Sequence, residues 1–337
     1  MAKILTAQAI YYEAGVTQYP FAALANSGDN KTFADSRKPW SQATGSEAVI
    51  APYGVITGGA ITPDDAAANN TVDVAALTAM MPGATGASAT TGVLTVAASA
   101  NLAITRAAAG GAPYKTTSIT ITAAGAIAAV AGTDGAAQVE TRGAAGGPPF
   151  IPVDSIEIGQ VRLGSITAAP IAAGEIYQVP GLHQERADLP VYSADYLAGK
   201  VTFASALPPI HTGSVAKRVY ARVALPIFAE IPNTKDWVPA KETLSVQSDA
   251  YYDGVVGSSS SSIGAASFSV ALNDGHGDLL VQNEGKNLLW MFKPDKNGAA
   301  YSLTQGAYSI AQTFGVKAAP TGTVTIAAQQ ATRAFAA

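Results

Sequence analysis

The residues best suited to acid–base or metal chemistry are three histidines, His183, His211 and His276. His276 lies between two carboxylates in the run Asp274–Gly275–His276–Gly277–Asp278, and oxygen and nitrogen ligands of this kind bind several divalent metals. The spacing matches neither a calcium-binding loop nor another named metal motif, and two glycines around a polar centre are typical of a tight turn. A turn is therefore the favoured interpretation, with metal binding as the alternative.

The other polar candidates sit in turn-like or surface-like sequence. His183 opens His-Gln-Glu-Arg, which lacks the second histidine that a zinc-protease helix requires, so we expect it on the surface. His211 follows two prolines and shows no partner in the sequence. Asp64 and Asp65 follow Thr-Pro, which favours a turn or a helix start over an acid–base pair.

Sequence motifs for catalysis are absent. The chain contains no Gly-x-Ser-x-Gly elbow and no phosphate-binding loop, and with no cysteine it has neither disulfides nor thiolate chemistry. We therefore predict a protein that is not an enzyme, with no catalytic, cofactor-binding or metal-binding residues. A β-rich hydrolase stays open as an alternative, and it would require His276 and Asp278 to be essential for turnover.

The composition favours a structural role. Hydrophobic residues make up 48% of the 337-residue chain but charged residues only 13%, against roughly 25% in ordinary globular domains. Small side chains bury little apolar area each, so stability has to come from long β-ladders and from burial against neighbouring subunits. The net charge of −4 predicts that the chain does not bind nucleic acid tightly.

The sequence predicts neither a membrane span nor a secretory leader. The apolar stretch at residues 4–10 is too short for a leader, and no run approaches the ~20 apolar residues of a spanning helix. We expect the protein to be made in the cytoplasm, to contact no membrane and to stay soluble until it assembles.

Two shifts in composition predict three regions, an N-terminal β segment (1–82), an Ala/Gly/Thr-rich β module (83–147) and a main β core (148–337). Between Asp73 and Asp134 the only charged residues are Arg106 and Lys115. The run Gly-Gly-Pro-Pro at 146–149 suits neither a helix nor a central strand and marks the second boundary.

Alternating apolar residues predict the strands. They are expected at residues 92–96, 102–105, 118–122, 156–163, 218–225, 266–272, 288–293, 299–303 and 323–326. In the strand at 156–163 the apolar parity switches, so we expect a β-bulge near Gly159–Gln160. Pro226 is expected to end the strand before it, and Asn297–Gly298 to form a left-handed hairpin turn.

Few helices are expected, and each is short. Residues 74–81 and 327–334 are candidate short helices, and residues 190–198 a helical turn or two. Gly257 followed by the serines at 258–262 predicts a flexible loop that is long enough to reach a neighbouring subunit. The fold class is therefore all-β, a sandwich or barrel-like core with an added Ala/Gly/Thr-rich β module.

The C-terminal third carries a resemblance to a known family. Its features are Glu242 to Ser248, Tyr252–Asp253–Gly254, the Gly-Ser segment, Ala266–Ser267–Phe268, Leu288–Leu289–Trp290 and Gly322 to Ile326. In pattern, this stretch resembles the tail-tube (major tail) proteins of long-tailed bacteriophages.

The resemblance implies a virion protein whose sheets join across subunits into rings, commonly hexamers, that stack into a tail tube for DNA delivery. Its partners would be copies of itself, other tail proteins and DNA that passes through the lumen without specific binding. The Gly-Ser segment and the C-terminal tail are candidates for the contact between rings. The family has no catalytic residues.

Other classes stay open at this point. A capsid decoration, baseplate or spike protein shares the small-residue β composition, and a trimeric particle would favour one of these. A carbohydrate-binding or adhesion module is a second alternative, although aromatic binding platforms are sparse.

Overall fold

A computed structural model describes residues 8–82, 90–251, 254–273 and 275–336. Strands make up 49% and helices 4% of the structure, and the strand pairs are antiparallel, which confirms the all-β fold class. Within the described ranges, helices are too short and too polar to cross a membrane.

The strands are numbered in chain order. Those before residue 150 are β1 (Ala9–Gln18), β2 (Ala22–Ala23), β3 (Ala25–Asn26), β4 (Thr32–Ala34), β5 (Val49–Pro52), β6 (Gly54–Gly58), β7 (Ile61–Pro63), β8 (Thr71–Val74), β9 (Leu77–Met80), β10 (Val93–Val96), β11 (Ser99–Ala103), β12 (Lys115–Thr122) and β13 (Ile127–Ala131). Those after it are β14 (Ser155–Leu163), β15 (Ile176–Tyr177), β16 (Tyr192–Asp195), β17 (Lys200–Phe203), β18 (Val219–Arg222), β19 (Ala224–Ile231), β20 (Thr234–Val238), β21 (Glu242–Tyr251), β22 (Gly254–Ile263), β23 (Ala266–Ala271), β24 (Asn287–Lys293), β25 (Tyr301–Thr313), β26 (Thr321–Ala328) and β27 (Arg333–Phe335).

The largest sheet has the order β19-β1-β24-β25-β26-β23-β20, with β27 added beside β25. Its two edge strands, β19 and β20, are separated in the chain only by Pro232 and Asn233. Because so short a connection brings opposite edges close together, the sheet curls into a barrel-like body. Its interior, called the barrel core here, is centred on Phe268, Trp290 and Tyr308, whose neighbouring rings lie 4.9–5.6 Å apart.

A second core lies between three smaller sheets, β13-β12-β14-β15, β10-β9-β6 and β11-β8-β7. Its buried side chains are almost all aliphatic, with Ile119, Ile121, Ile156 and Ile158 fully buried, and it is called the aliphatic core here. Since β12 pairs with β14, the predicted regions 83–147 and 148–337 contribute strands to one sheet. The region borders themselves stay predictions.

A third cluster connects these two bodies. The sheets β16-β17-β4-β3 and β2-β18-β5 pack around Phe33, Trp40 and Phe203. The chain therefore leaves the barrel after β1, passes through this connecting region, builds the aliphatic core and returns through the connecting region to β19. Both smaller bodies are nested insertions between two neighbouring strands of the barrel.

The predicted bulge in β14 is confirmed. Ile119 pairs with Gly159 and Thr120 with Glu157, so Ile158 is the extra residue. The bulge turns Ile156, Ile158, Val161 and Leu163 toward one side, and all nine side chains of β14 are buried. A Cβ at Gly159 would lie 2.5 Å from Ile61 Cδ1, which explains why the position holds a glycine.

The expectations about Pro226 and about the Asn297–Gly298 turn need correction. Proline 226 does not end a strand, because it lies within β19 opposite Val16, and β19 is an edge strand whose free side needs no donor. The hairpin between β24 and β25 is confirmed, but neither Asn297 nor Gly298 has a positive φ. The turn is closed instead through Asp295, whose carbonyl accepts from Gly298 N at 2.9 Å.

The predicted helices are wrong. Residues 74–81 contain the end of β8 and all of β9, residues 190–198 contain β16, and residues 327–334 span the end of β26 and the start of β27. Burial explains the difference, since Leu77, Ala79 and Met81 pack into the aliphatic core with a period of two, as Val72 and Val74 do in β8. A four-residue helix, α1 (Leu279–Gln282), forms instead after a short 3-10 turn at Gly275–Gly277.

Candidate assembly surface

The hairpin of β21 and β22, called the arm here, exposes apolar side chains to solvent. The two strands pair continuously from Glu242 opposite Ile263 to Tyr251 opposite Gly254, with no shift of register. Ten residues of strand at ~3.3 Å each make the arm about 33 Å long. The arm is a separate two-stranded sheet, and such a ribbon is only marginally stable in water without further packing.

The arm has two chemically different faces. Leu244 and Val246 lie on one face, together with Ile263 of the opposite strand, and the first two are each 71% exposed. Ser261 and Ser259 lie directly opposite Leu244 and Val246, so the two large apolar side chains project beyond their small polar neighbours. The other face carries Thr243, Ser245 and Gln247.

The polar face is held by its own cross-strand contact. Thr243 Oγ1 lies 2.9 Å from the hydroxyl of Ser262, its partner in the ladder. Polar side chains that face water need no further partner. Exposed Leu, Val and Ile side chains differ, because covering their apolar surface with a partner lowers the free energy. The apolar face is therefore the part of the arm that a partner would stabilise.

The arm is rooted firmly in the barrel. Ala240 is buried, its N–H donates to Thr332 Oγ1 at 2.8 Å, and its carbonyl accepts from Thr332 N at 2.9 Å. Gly264 N donates to Lys241 O at 2.9 Å and closes the base of the ribbon. A rigid root fixes the direction in which the arm leaves the body.

Two segments predicted as contacts between rings behave differently. The serine-rich loop is not a loop, because it is strand β22 and its backbone groups pair with β21. The C-terminal tail packs on its own chain, since β27 pairs with β25 and Phe335 stacks on Tyr301 at 5.0 Å. The arm is therefore the candidate segment that stays uncovered. Tyr252 and Asp253 lie outside the described residues.

The run around His276 does not form a metal site in the described residues. His276 is exposed and its ring lies 5.1 Å from that of Phe314, while Asp278 accepts from Leu280 N at 3.2 Å and caps α1. Asp274 lies outside the described residues. Across the described chain, no group of three His, Asp or Glu side chains converges as metal ligands would.

The prediction that His183 is a surface residue is wrong. His183 is 5% exposed, its Nδ1 lies 3.2 Å from Arg162 Nη2, and its ring meets Tyr177 edge-on. Burial, followed by the charge of Arg162, lowers the pKa of His183. The local sequence did not show this burial, because Arg162, which contacts the ring, lies 21 residues away in β14.

The two other polar candidates have structural partners. His211 is fully buried and its Nε2 lies 2.9 Å from Ser155 O, and burial lowers its pKa. Asp64 accepts from Ala66 N and Ala68 N at 3.0–3.1 Å, which makes a turn, one of the two alternatives that the sequence favoured.

Sequence reasoning missed a buried ionic network on β14. The bulge that groups the isoleucines also places Glu157, Gln160 and Arg162 on the opposite face. Arg142 Nη2 lies 2.5 Å from Glu157 Oε2, Gln160 donates to Glu157, and Arg162 pairs with Glu140. The parity switch that predicted the bulge was also the signal for this network.

The network connects loops to the sheet. Glu140 and Arg142 belong to the stretch before the Gly-Gly-Pro-Pro boundary, and their ion pairs hold that stretch against β14. The guanidinium and carboxylate groups point at one another, so their polar atoms are satisfied within the fold.

The two cations of the low-charge stretch act in a similar way. Arg106 donates to Ser165 O and Ala169 O at 3.0–3.1 Å, and Lys115 pairs with Asp134 at 2.9 Å. Each of them ties separate loops together.

The sequence matches no known protein-family model, and no curated protein is significantly similar to it.

Proposed function

We propose that this chain is a structural virion protein that assembles with copies of itself into stacked rings, which form the tail tube of a long-tailed bacteriophage. The proposal rests on one observation above the others, the rigidly rooted arm whose apolar face is uncovered. A barrel-like body that projects such an arm is a unit built to bind the next unit.

The charge distribution supports a conduit. The chain carries 24 acidic and 20 basic residues, and its net charge of −4 opposes attraction to DNA phosphates. A basic lumen would gain free energy from counterion release and retain the DNA, whereas a neutral or acidic one lets the duplex slide. Low charge overall also reduces the cost of burying surface between subunits.

The resemblance of the C-terminal third supports the same function. The segments that carry it form the arm and three barrel strands, β23, β24 and β26. The two nested bodies, which lie outside the resemblance, would decorate each subunit of the ring.

Electron microscopy of the purified protein at rising concentration, with size-exclusion chromatography alongside, tests the proposal. We expect rings or hollow tubes with a channel wide enough for duplex DNA. A matched pair of variants separates the two faces of the arm: Leu244→Ser should abolish or strongly weaken assembly, while Thr243→Ala, on the polar face, should leave it intact.

Other outcomes would assign the protein elsewhere. A stable monomer at every concentration would contradict the proposal. A compact trimer would favour a capsid decoration or spike protein, because trimeric symmetry does not build a tube of hexameric rings.

A further inference from the structure

A cavity of about 290 Å³ lies beside the connecting region, and it is called the groove here. Its walls are largely apolar, formed by Leu189, Val191, Phe203 and Leu207. Lys217, Arg186 and Glu185 also line it. The groove therefore combines apolar walls with two cationic groups and one carboxyl, a pattern that fits a partner carrying apolar side chains and one carboxylate.

The ammonium of Lys217 is buried without an ion pair. The residue is 5% exposed, and its Nζ makes one long hydrogen bond, 3.4 Å, to Arg186 O. Among the described residues Lys217 forms no salt bridge, and Glu185, whose charge favours the ammonium, accepts from Glu157 N at 2.7 Å. A buried charge of this kind gains much from an added anionic partner.

The rim of the groove is an exposed apolar patch. Val191 is 71% exposed and Leu189 48%, and both line the groove. Adjacent exposed aliphatic side chains around a concave surface are typical of interaction sites.

We propose that the groove receives the apolar face of the arm from a second copy of this chain. Leu244, Val246 and Ile263 would cover the apolar rim, and Glu242, which lies on the same face of the arm, would bring its carboxylate toward Lys217. The charges are complementary, since residues 242–263 include three acidic residues and no basic one.

The occupant is another copy because, within the described residues, the strands of the arm pair with no other strand of their own chain. The arm extends about 33 Å from a root held in the barrel, and its strands pair only with each other.

The groove is favoured over two other large cavities by charge. One, of about 250 Å³, is lined by Glu230 and Asp278, and another, of about 370 Å³, is lined by Glu13 and Lys286. The first is acidic and the second has balanced charges, whereas in the groove Lys217 and Arg186 outnumber Glu185 and attract the acidic arm.

This inference rests on the proposed function and adds the identity of the contact. The arm and the groove are different surfaces of one chain, so their contact is heterologous. Such a contact repeats from subunit to subunit and produces either a closed ring or an open filament.

Cross-linking between two single-cysteine variants tests the contact, and the natural chain contributes no competing thiol. Val246→Cys on the arm is mixed with Val191→Cys at the rim, one of them carrying a tag that shifts its mass, and treated with a bifunctional thiol reagent. Docked thiols react at a raised effective concentration, so heterodimer should exceed that from Val246→Cys with Val316→Cys by about tenfold. Val316 is 94% exposed and lies away from the groove.

A charge reversal provides the second readout. Glu242→Lys should lower the yield of the Val246→Cys and Val191→Cys heterodimer severalfold, whereas Thr243→Lys, one residue along on the opposite face, should not. Equal linkage of the arm to residues 191 and 316, or linkage of arms mainly to each other, would overturn the contact.

Electron microscopy of the same samples separates the two proposals. Tubes without the heterodimer would overturn the contact and keep the tube, whereas the heterodimer without rings or tubes would keep the contact and overturn the tube.

Discussion

The barrel core and the aliphatic core solve the same packing problem with different residues. The barrel core uses few, large aromatic side chains, and Trp290 contacts Tyr12, Phe268 and Tyr308. The aliphatic core uses many isoleucines and valines between thin sheets, and the polar face of β14 behind it is held by buried ion pairs. Aromatic rings fill a wide barrel, whereas small β-branched side chains suit closely spaced strands.

This difference predicts which kind of substitution destabilises each body most. Loss of one large ring in the barrel leaves a cavity that neighbouring strands cannot fill. In the body that contains the aliphatic core, each aliphatic side chain contributes less to stability than such a ring. The unpaired charge left by a broken ion pair is therefore the greater cost there.

The largest effect is expected at the centre of the barrel. Trp290→Ala should lower the free energy of unfolding by about 3–5 kcal/mol, measured by urea denaturation, because the buried ring leaves a cavity. Trp237→Ala is the matched control, since Trp237 is only half-buried and should cost less. Equal losses for the two variants would break the picture of a core centred on Trp290.

The next largest loss of stability is expected from a broken ion pair in the body that contains the aliphatic core. Arg142→Met leaves the carboxylate of Glu157, whose side chain is 2% exposed, without its ion-pair partner and should cost about 3 kcal/mol. The double variant Arg142→Met, Glu157→Gln should recover part of that loss in a double-mutant cycle. A single variant as stable as the natural protein would show that the network does not hold the nested body together.

The pH dependence of stability distinguishes the bodies further. Burial raises the pKa of Glu185 to about 7, so between its unfolded pKa of about 4.3 and that value the folded state holds more protons. Natural protein should therefore lose stability from this group as pH rises from about 5 to about 7, by at most ~1.4 kcal/mol per pH unit, and no more above that.

Substitution of Glu185 isolates this effect. The unfolding free energy of Glu185→Gln should rise relative to that of the natural protein over the same pH interval. The exposed carboxylate of Glu47 supplies the control, and Glu47→Gln should show no such trend. A pH-independent difference for Glu185→Gln would contradict the raised pKa of Glu185.

The smallest effect is expected at the surface of the barrel. Lys296 and Glu230 form an ion pair whose side chains are 46% and 39% exposed, so solvent screens it. Lys296→Met should change the unfolding free energy by less than about 1 kcal/mol, and added salt should reduce even that. A loss as large as that of Arg142→Met would remove the contrast between buried and exposed pairs.

Strand positions were largely predictable and helices were not. The alternation of Phe268, Val270 and Leu272, and that of Val324 and Ile326, marks barrel strands because each has one buried face. Residues 74–81 have the composition of a helix but form β8 and β9, since pairing with β6, β7, β10 and β11 outweighs local propensity.

The assembly surface was only partly predictable. The serine run suggested a flexible loop, which is wrong, because local sequence could not show that β21 would pair with it and line up Leu244 and Val246 on one face. Register depends on both strands together. The groove could not be foreseen, because Lys217 meets residues 185–208 only through the fold.

The sequence by itself determined that this protein is β-rich, low in charge and without cysteine chemistry, because composition and the period-two pattern are local properties of the chain. It also determined the bulge in β14, since a switch of apolar parity within one strand has few other solutions. Tertiary structure alone decided that two bodies are nested within a barrel, that His183 and Glu157 are buried, and that the arm stays uncovered. These are relations between distant segments, and only packing brings such segments together.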